Sequence, residues 1–212
     1  MTKRTDPWRG WAAHQDFIHP ARRKPQLWRL LVGMVVIAAI GLALNTAMAR
    51  IVSALAPDFW LTRIATPDSA GTTPAALVLL LCTFAFFAIG TGVAVRLLHD
   101  RPALTLIGPV RAAWTQFRQV LIFVAMVGMV VLILPPYDSG LGLEPNLPVG
   151  TWVALLPLSL TALMIQVSAE EVLFRGYLQQ QVAARFSQPW VWICVPSLIF
   201  AAGHYVPSES GD

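Results

Sequence analysis

The sequence predicts an all-α fold, a polytopic transmembrane helical bundle with about five spanning helices in this chain. Three observations carry that prediction. Of the 212 residues, 56% are hydrophobic and only 12% charged, about half the charge of an average soluble domain. The mean hydropathy is +0.62. Apolar runs near the ~20 residues needed to cross a bilayer recur along the chain, and the cations gather at their ends.

The first run, Leu30 to Leu55, follows a basic arm and carries Asn45 and Arg50 toward its far end. Ala47-Met48-Ala49 resembles a signal-peptidase site. The basic region before the run is about twice the length such peptides use, so an uncleaved anchor is expected. Pro74 to Leu98 is the second run, with Pro74 suited to a first helical turn. Phe117 to Leu134 is the third, stopped by Pro135-Pro136. Trp152 to Val167 is the fourth and runs into paired glutamates. Pro189 to His204 is a shorter fifth. There is no internal repeat. Three regions follow: a basic cytoplasmic or interfacial arm over 1–28, expected to be irregular because of Pro7, Pro20 and Pro25; three transmembrane helices with loops over 29–149; and the motif-bearing region over 150–212.

Lys and Arg placement sets orientation. The arm and first helix start carry Lys3, Arg4, Arg9, Arg22, Arg23, Lys24 and Arg29, and the 96–118 connection carries Arg96, Arg101, Arg111 and Arg118. The 135–150 connection carries none. The N-terminus is therefore expected in the cytoplasm of a multi-pass plasma-membrane protein. The net charge of +4 does not signal nucleic acid, because the cations are not interleaved with aromatics on a polar face. Cys82 and Cys194 lie inside predicted spans and are too few for a disulfide framework.

Chemistry concentrates in two places. Between Arg118 and Glu170 the only charged residues are Asp138 and Glu144, both in one loop. Glu170 and Glu171 then interrupt an apolar run. A charge in hydrocarbon costs at least ~2.5 kcal/mol, so such residues mark a polar site or a helix leaving the bilayer. On a helix Glu171 and Arg175 stand at i and i+4 and can pair. Glu170 points about 100° away and is left free to face a cavity. The second signal is Phe200-Ala201-Ala202-Gly203-His204. Residue 187 is the midpoint between Glu170 and His204, and Ser187-Gln188-Pro189 is a ready turn. An antiparallel hairpin bent there holds both residues about 25 Å from the turn, at one depth. Trp190 and Trp192 resemble interface anchors. The other histidines, His14, His19 and His99, are assigned to the arm or a loop. Each motif also has a bland alternative: a solvated helix end for the acids, a structural residue for the histidine. A Glu and a His can activate water as an acid/base pair. They can also hold a divalent metal such as zinc whose water becomes the nucleophile. A metal needs at least three protein ligands, and pairing Glu171 with Arg175 withdraws one candidate.

Glu170-Glu171-x-x-x-Arg175 on one helix and Phe200-x-x-x-His204 on the next resemble the CPBP family of CAAX prenyl endopeptidases and bacteriocin-processing or immunity proteins, also called Abi. Gly176-Tyr177-Leu178 is similar as well. The resemblance spans roughly 150–212 and implies an intramembrane endopeptidase, often a metalloprotease. It implies catalytic roles for Glu170 and His204, supporting roles for Glu171 and Arg175, and Glu170 and His204 as ligands if a metal is used. The family's third motif, a His followed after three residues by Asn or Asp on a later helix, is not found, so the chain is expected to be the front portion of a member. The implied partners are membrane lipid and a peptide or protein substrate at the membrane, not nucleic acid. The rival classes are a non-catalytic immunity or scaffold protein of the same family and a proton-coupled transporter.

Overall fold

The computed structural model describes residues 12–64, 73–134 and 147–205. The loop holding Asp138 and Glu144, the cations Lys3, Arg4 and Arg9, and residues 206–212 lie outside the described residues. Every regular element described is helical. In order these are α1 (Ala12–Ile18), a 3₁₀ turn (His19–Arg23), α2 (Leu27–Leu55), α3 (Pro57–Arg63), α4 (Pro74–Thr83), α5 (Ala85–His99), a 3₁₀ turn (Ala103–Leu106), α6 (Val110–Ile133), α7 (Val149–Glu171), a π-helical segment (Val172–Gln179), α8 (Gln180–Arg185) and α9 (Pro189–His204). Four continuous stretches are long and apolar enough to cross a membrane: Leu27–Leu55, Pro74–His99, Val110–Val131 and Val149–Arg185. Pro189–His204 is the shorter fifth. The protein is an all-α, multi-pass membrane bundle.

Local chemistry sets the boundaries. Pro25 disfavours helix at Lys24, and α2 begins two residues later from the extended Gln26. The Thr73 hydroxyl accepts the Ala76 N–H at 3.4 Å, and Pro74 occupies the first turn of α4. Within the second span the helix breaks at Phe84. Just before the break, the Thr83 hydroxyl donates to the Leu80 carbonyl at 2.7 Å, a back-bond that bends helices. Asp100, with φ 49°, closes α5 in the left-handed region, which Asp tolerates better than most residues.

The core is small and lies where α2, α5, the π-helical segment and α8 meet. Ile37, Ala94, Val95, Tyr177 and Leu178 are buried there. Close approach depends on glycine. A Cβ on Gly90 would stand 3.0 Å from the Ile37 carbonyl oxygen, and one on Gly33 would overlap the Tyr177 hydroxyl. Small residues let membrane helices touch backbone to backbone. We expect Gly33→Ala to lower thermal stability in detergent, since overpacking costs ~1–3 kcal/mol. Gly128, with nothing within 4 Å, should accept Ala without loss. Equal melting temperatures for the two variants would refute this packing.

Much of the remaining surface is apolar. Val35, Leu42, Val131 and Leu198 are each about two-thirds exposed, as lipid-facing residues are. None of the described side chains of α6 is buried.

Three expectations need correction. Residues 12–23 of the arm are helical rather than irregular. Ile18 and Ala21 are buried, so packing rather than intrinsic propensity orders this stretch. The third helix begins at Val110, seven residues before the apolar run, because Gly108 (φ 72°) and Pro109 form its start. Trp192 is not an interface anchor: it is 2% exposed and stacks on His14 at 4.2 Å, whereas Trp190 is 67% exposed.

Candidate active site

The α8–α9 turn falls at residues 186–188, and the two legs run back from it. This brings the two motifs together: His204 Nε2 lies 3.9 Å from Glu170 Oε1. The Glu170 side chain is 15% exposed and that of His204 54%. Glu171 faces elsewhere, its Oε2 3.9 Å from Arg175 Nε. The side chains of that pair are 59% and 62% exposed. An exposed pair of this kind is worth at most ~1 kcal/mol.

The helix geometry that separates the two glutamates changes immediately after them. Val172–Gln179 is π-helical, and π-helical segments are rare and frequent at functional sites. On the N-terminal side of the pair, Gln166 Nε2 donates to Glu170 Oε1 at 3.2 Å, one turn back on the same face. Sequence reasoning passed over Gln166, although its i−4 spacing was the available signal.

His204 is fixed by its own helix. Its Nδ1 lies 2.9 Å from the Phe200 carbonyl oxygen, and its ring stands 4.3 Å from the Phe200 ring. Phe174 meets Phe200 edge-on at 5.0 Å. The Phe-x-x-x-His spacing thus sets the imidazole, tilted by 36°, against an aromatic that is wedged against the glutamate-bearing helix. A carbonyl can only accept, so Nδ1 carries a proton. In the neutral ring Nε2 then offers a lone pair. A lone pair and a carboxylate oxygen converge on one point, and 3.9 Å suits a bent water donating to both, given hydrogen bonds of about 2.8 Å.

The two groups open on a cavity of about 200 Å³. Its walls are apolar: Leu173 and Phe174 from the π-helical segment, Phe200 from α9, and Phe84 and Phe87 from the α4–α5 break. The break in the second span thus places two aromatic rings at the site. These two phenylalanines gave no sequence signal, because nothing in an apolar run marks which residues face a distant glutamate.

The converging acceptors could also hold a cation. Among the described residues no group of three His, Cys, Asp or Glu side chains comes together. Glu170 and His204 alone fall short of the three protein ligands of a zinc centre.

A second polar cluster was not foreseen. His99 ends α5 rather than lying in a loop, and is 2% exposed. Its Nε2 lies 3.1 Å from the Tyr177 hydroxyl, and its Nδ1 3.2 Å from the Lys24 carbonyl oxygen and 3.1 Å from Gln181 Nε2. Arg101, also 2% exposed, donates to Gln180 Oε1 at 2.6 Å. Gln180 Nε2 in turn donates to the Thr105 carbonyl at 3.0 Å. Burial lowers the Arg101 pKa to about 10, so the guanidinium stays charged at neutral pH. Tyr177, Gln180 and Gln181 lie two to six residues beyond Arg175, so the cluster pins the π-helical segment to the end of α5.

Residues 152–210 match the family model of the type II CAAX prenyl endopeptidases, Rce1-like. Over this region the chain is similar to that family. The match spans 59 of 212 residues and includes both motifs and the whole α8–α9 hairpin. It supports a membrane endopeptidase at the level of the family. Phe84, Phe87, His99 and Arg101 come from outside the matched residues. No curated protein and no solved structure shows a significant match.

Proposed function

We propose that the protein is an integral membrane endopeptidase that hydrolyses peptide bonds of membrane-associated substrates. The water is activated by Glu170 and His204. The observation that carries this reading is the 3.9 Å approach of a mostly enclosed carboxylate to an imidazole lone pair beside an apolar cavity. The water donates one hydrogen bond to each acceptor. Glu170 removes a proton as the water oxygen attacks the peptide carbonyl carbon. The protonated Glu170 then delivers that proton to the amide nitrogen as the C–N bond breaks. His204 orients the water throughout. General-base catalysis of this kind contributes typically ~10²–10⁴-fold.

Metal chemistry at this site requires a third donor beyond Glu170 and His204, so no step is assigned to a metal. Zinc analysis of the purified protein tests the metalloprotease form directly. The placement of cations at the ends of the spans supports a plasma-membrane protein with its N-terminus in the cytoplasm. That puts the Glu170 helix on a path from outside to inside. The aromatic cavity walls and the family match support a peptide substrate held at the bilayer.

One observation favours a second reading, a non-catalytic immunity or scaffold protein of the same family: among the described residues only two donors converge at the site. One experiment separates the two. A membrane-tethered peptide reporter is expressed with the full-length protein and with Glu170→Ala. Cleavage that disappears in the variant supports the protease. Cleavage equal in both, or absent from both, removes it.

A further inference from the structure

A second cleft, of about 270 Å³, lies between the N-terminal arm and the turn of the Glu170–His204 hairpin. At its base stand Ile18 of α1, Phe186 of the turn and Trp192 of α9; Ile18 and Trp192 are buried, so the apolar surface left to the cleft is chiefly that of the half-buried Phe186. Its rim is polar: Gln15, Arg22, Arg185 and Ser187. Both arginines are exposed, and the Arg22 guanidinium donates to the Gln15 amide oxygen. Among the described residues no acidic residue lines the cleft. Asp16 of α1 is not among its walls, and Asp100 pairs with Lys24. Two cations therefore face one opening with no carboxylate among the described residues of its lining.

Position narrows the ligand. The Val149–Arg185 stretch ends at one of the two arginines. α9 begins at Pro189 and the first span at Leu27, a few residues beyond the other. The cleft thus stands where spanning helices meet the membrane surface, at the depth of lipid phosphates. A cationic rim beside the apolar ring of Phe186, at the ends of the spans, suits a phosphate whose hydrocarbon continues into the bilayer. We propose that this cleft binds the phosphate of an anionic phospholipid, with Arg22 and Arg185 as its cationic ligands. Juxtamembrane cations are drawn to anionic lipid. Here two of them come from separate segments, so the bound headgroup ties the arm to the hairpin that carries Glu170 and His204.

The test is thermal unfolding of the full-length protein in detergent with added short-chain phospholipid. Phosphatidylglycerol at about a hundredfold excess over its Kd should raise the melting temperature by roughly 5–10 °C. Phosphatidylcholine should raise it by less than half as much, and inorganic phosphate should do little because it carries no hydrocarbon. The double variant R22Q/R185Q should keep its own cooperative transition yet lose most of the phosphatidylglycerol shift, whereas R23Q, outside the cleft, should retain it. Equal shifts with phosphatidylglycerol and phosphatidylcholine overturn the proposal, as does a full shift in R22Q/R185Q. A shift produced by inorganic phosphate or by an acidic peptide alone assigns the cleft to another anion and equally overturns it. If the double variant does not fold, native mass spectrometry of the wild type decides: about one retained phosphatidylglycerol in an equimolar lipid mixture is expected, and no preference over phosphatidylcholine refutes the site.

Discussion

Glu170→Gln should reduce cleavage of a membrane-tethered reporter by about 10²–10⁴-fold, the usual worth of a positioned general base. The amide has nearly the shape of the carboxylate, so it keeps its place in the cavity beside Gln166 and His204. It cannot accept the proton that attack by water releases. Glu171→Gln is the internal control. That side chain is 59% exposed and turned to Arg175, away from the cavity, so its loss should cost far less in kcat. Membrane yield and melting temperature should be near wild type for Glu170→Gln, because removing a charge from a mostly enclosed position strands no partner among the described residues. Reporter cleavage within a few-fold of wild type would remove Glu170 as the base. A larger loss in Glu171→Gln than in Glu170→Gln would reverse the two roles.

The hairpin was legible in the sequence because its information is local and symmetric. Two short motifs stand at equal distances from a Pro-initiated turn, and the 1.5 Å rise of a helix converts equal distances into equal depth. The separation of Glu170 from Glu171 was legible for the same reason, since neighbouring residues on a helix diverge by about 100°. What remained hidden depends on long-range contacts or on departures from regular geometry. The π-helical segment from Val172 leaves no mark in the hydropathy pattern. Phe84 and Phe87 look like any other apolar residues until the break after Thr83 aims them at the site. Trp192 resembles an interfacial tryptophan because a burying partner such as His14, some 180 positions away, cannot be inferred from neighbours. His99 was misplaced because the left-handed turn at Asp100, rather than loss of hydropathy, ends its helix. Arg101 reads in sequence as one more cation in a basic connection; only the fold shows that it is buried.

That buried cation carries the second large expectation, which concerns stability. Gln180→Leu should lower the melting temperature in detergent by roughly 6–20 °C, from ~3–5 kcal/mol for a buried charge that loses its partner. Arg101 Nη1 gives its short bond to Gln180 Oε1, with a longer one of 3.4 Å to the Thr105 hydroxyl. Its Nε and Nη2 have no hydrogen-bond partner among the described residues. With the Gln180 oxygen gone, only the weak contact to Thr105 offsets desolvation of the guanidinium. The same substitution frees the Thr105 carbonyl from the Gln180 amide, so an acceptor is lost and another is left unpaired. Removing both ends of the interaction is a different matter: well-packed apolar replacements of buried polar pairs are often neutral or stabilising. The double variant Arg101→Leu/Gln180→Leu should therefore melt above Gln180→Leu alone, a coupling that a double-mutant cycle measures directly. The effect should reach the active site as well, because Gln180 lies at the end of the π-helical segment that follows Glu170 and Glu171. A Gln180→Leu protein that melts within 2 °C of wild type would show that the Arg101–Gln180 bond is not what fastens this segment to the end of α5. Strict additivity in the cycle would show the same.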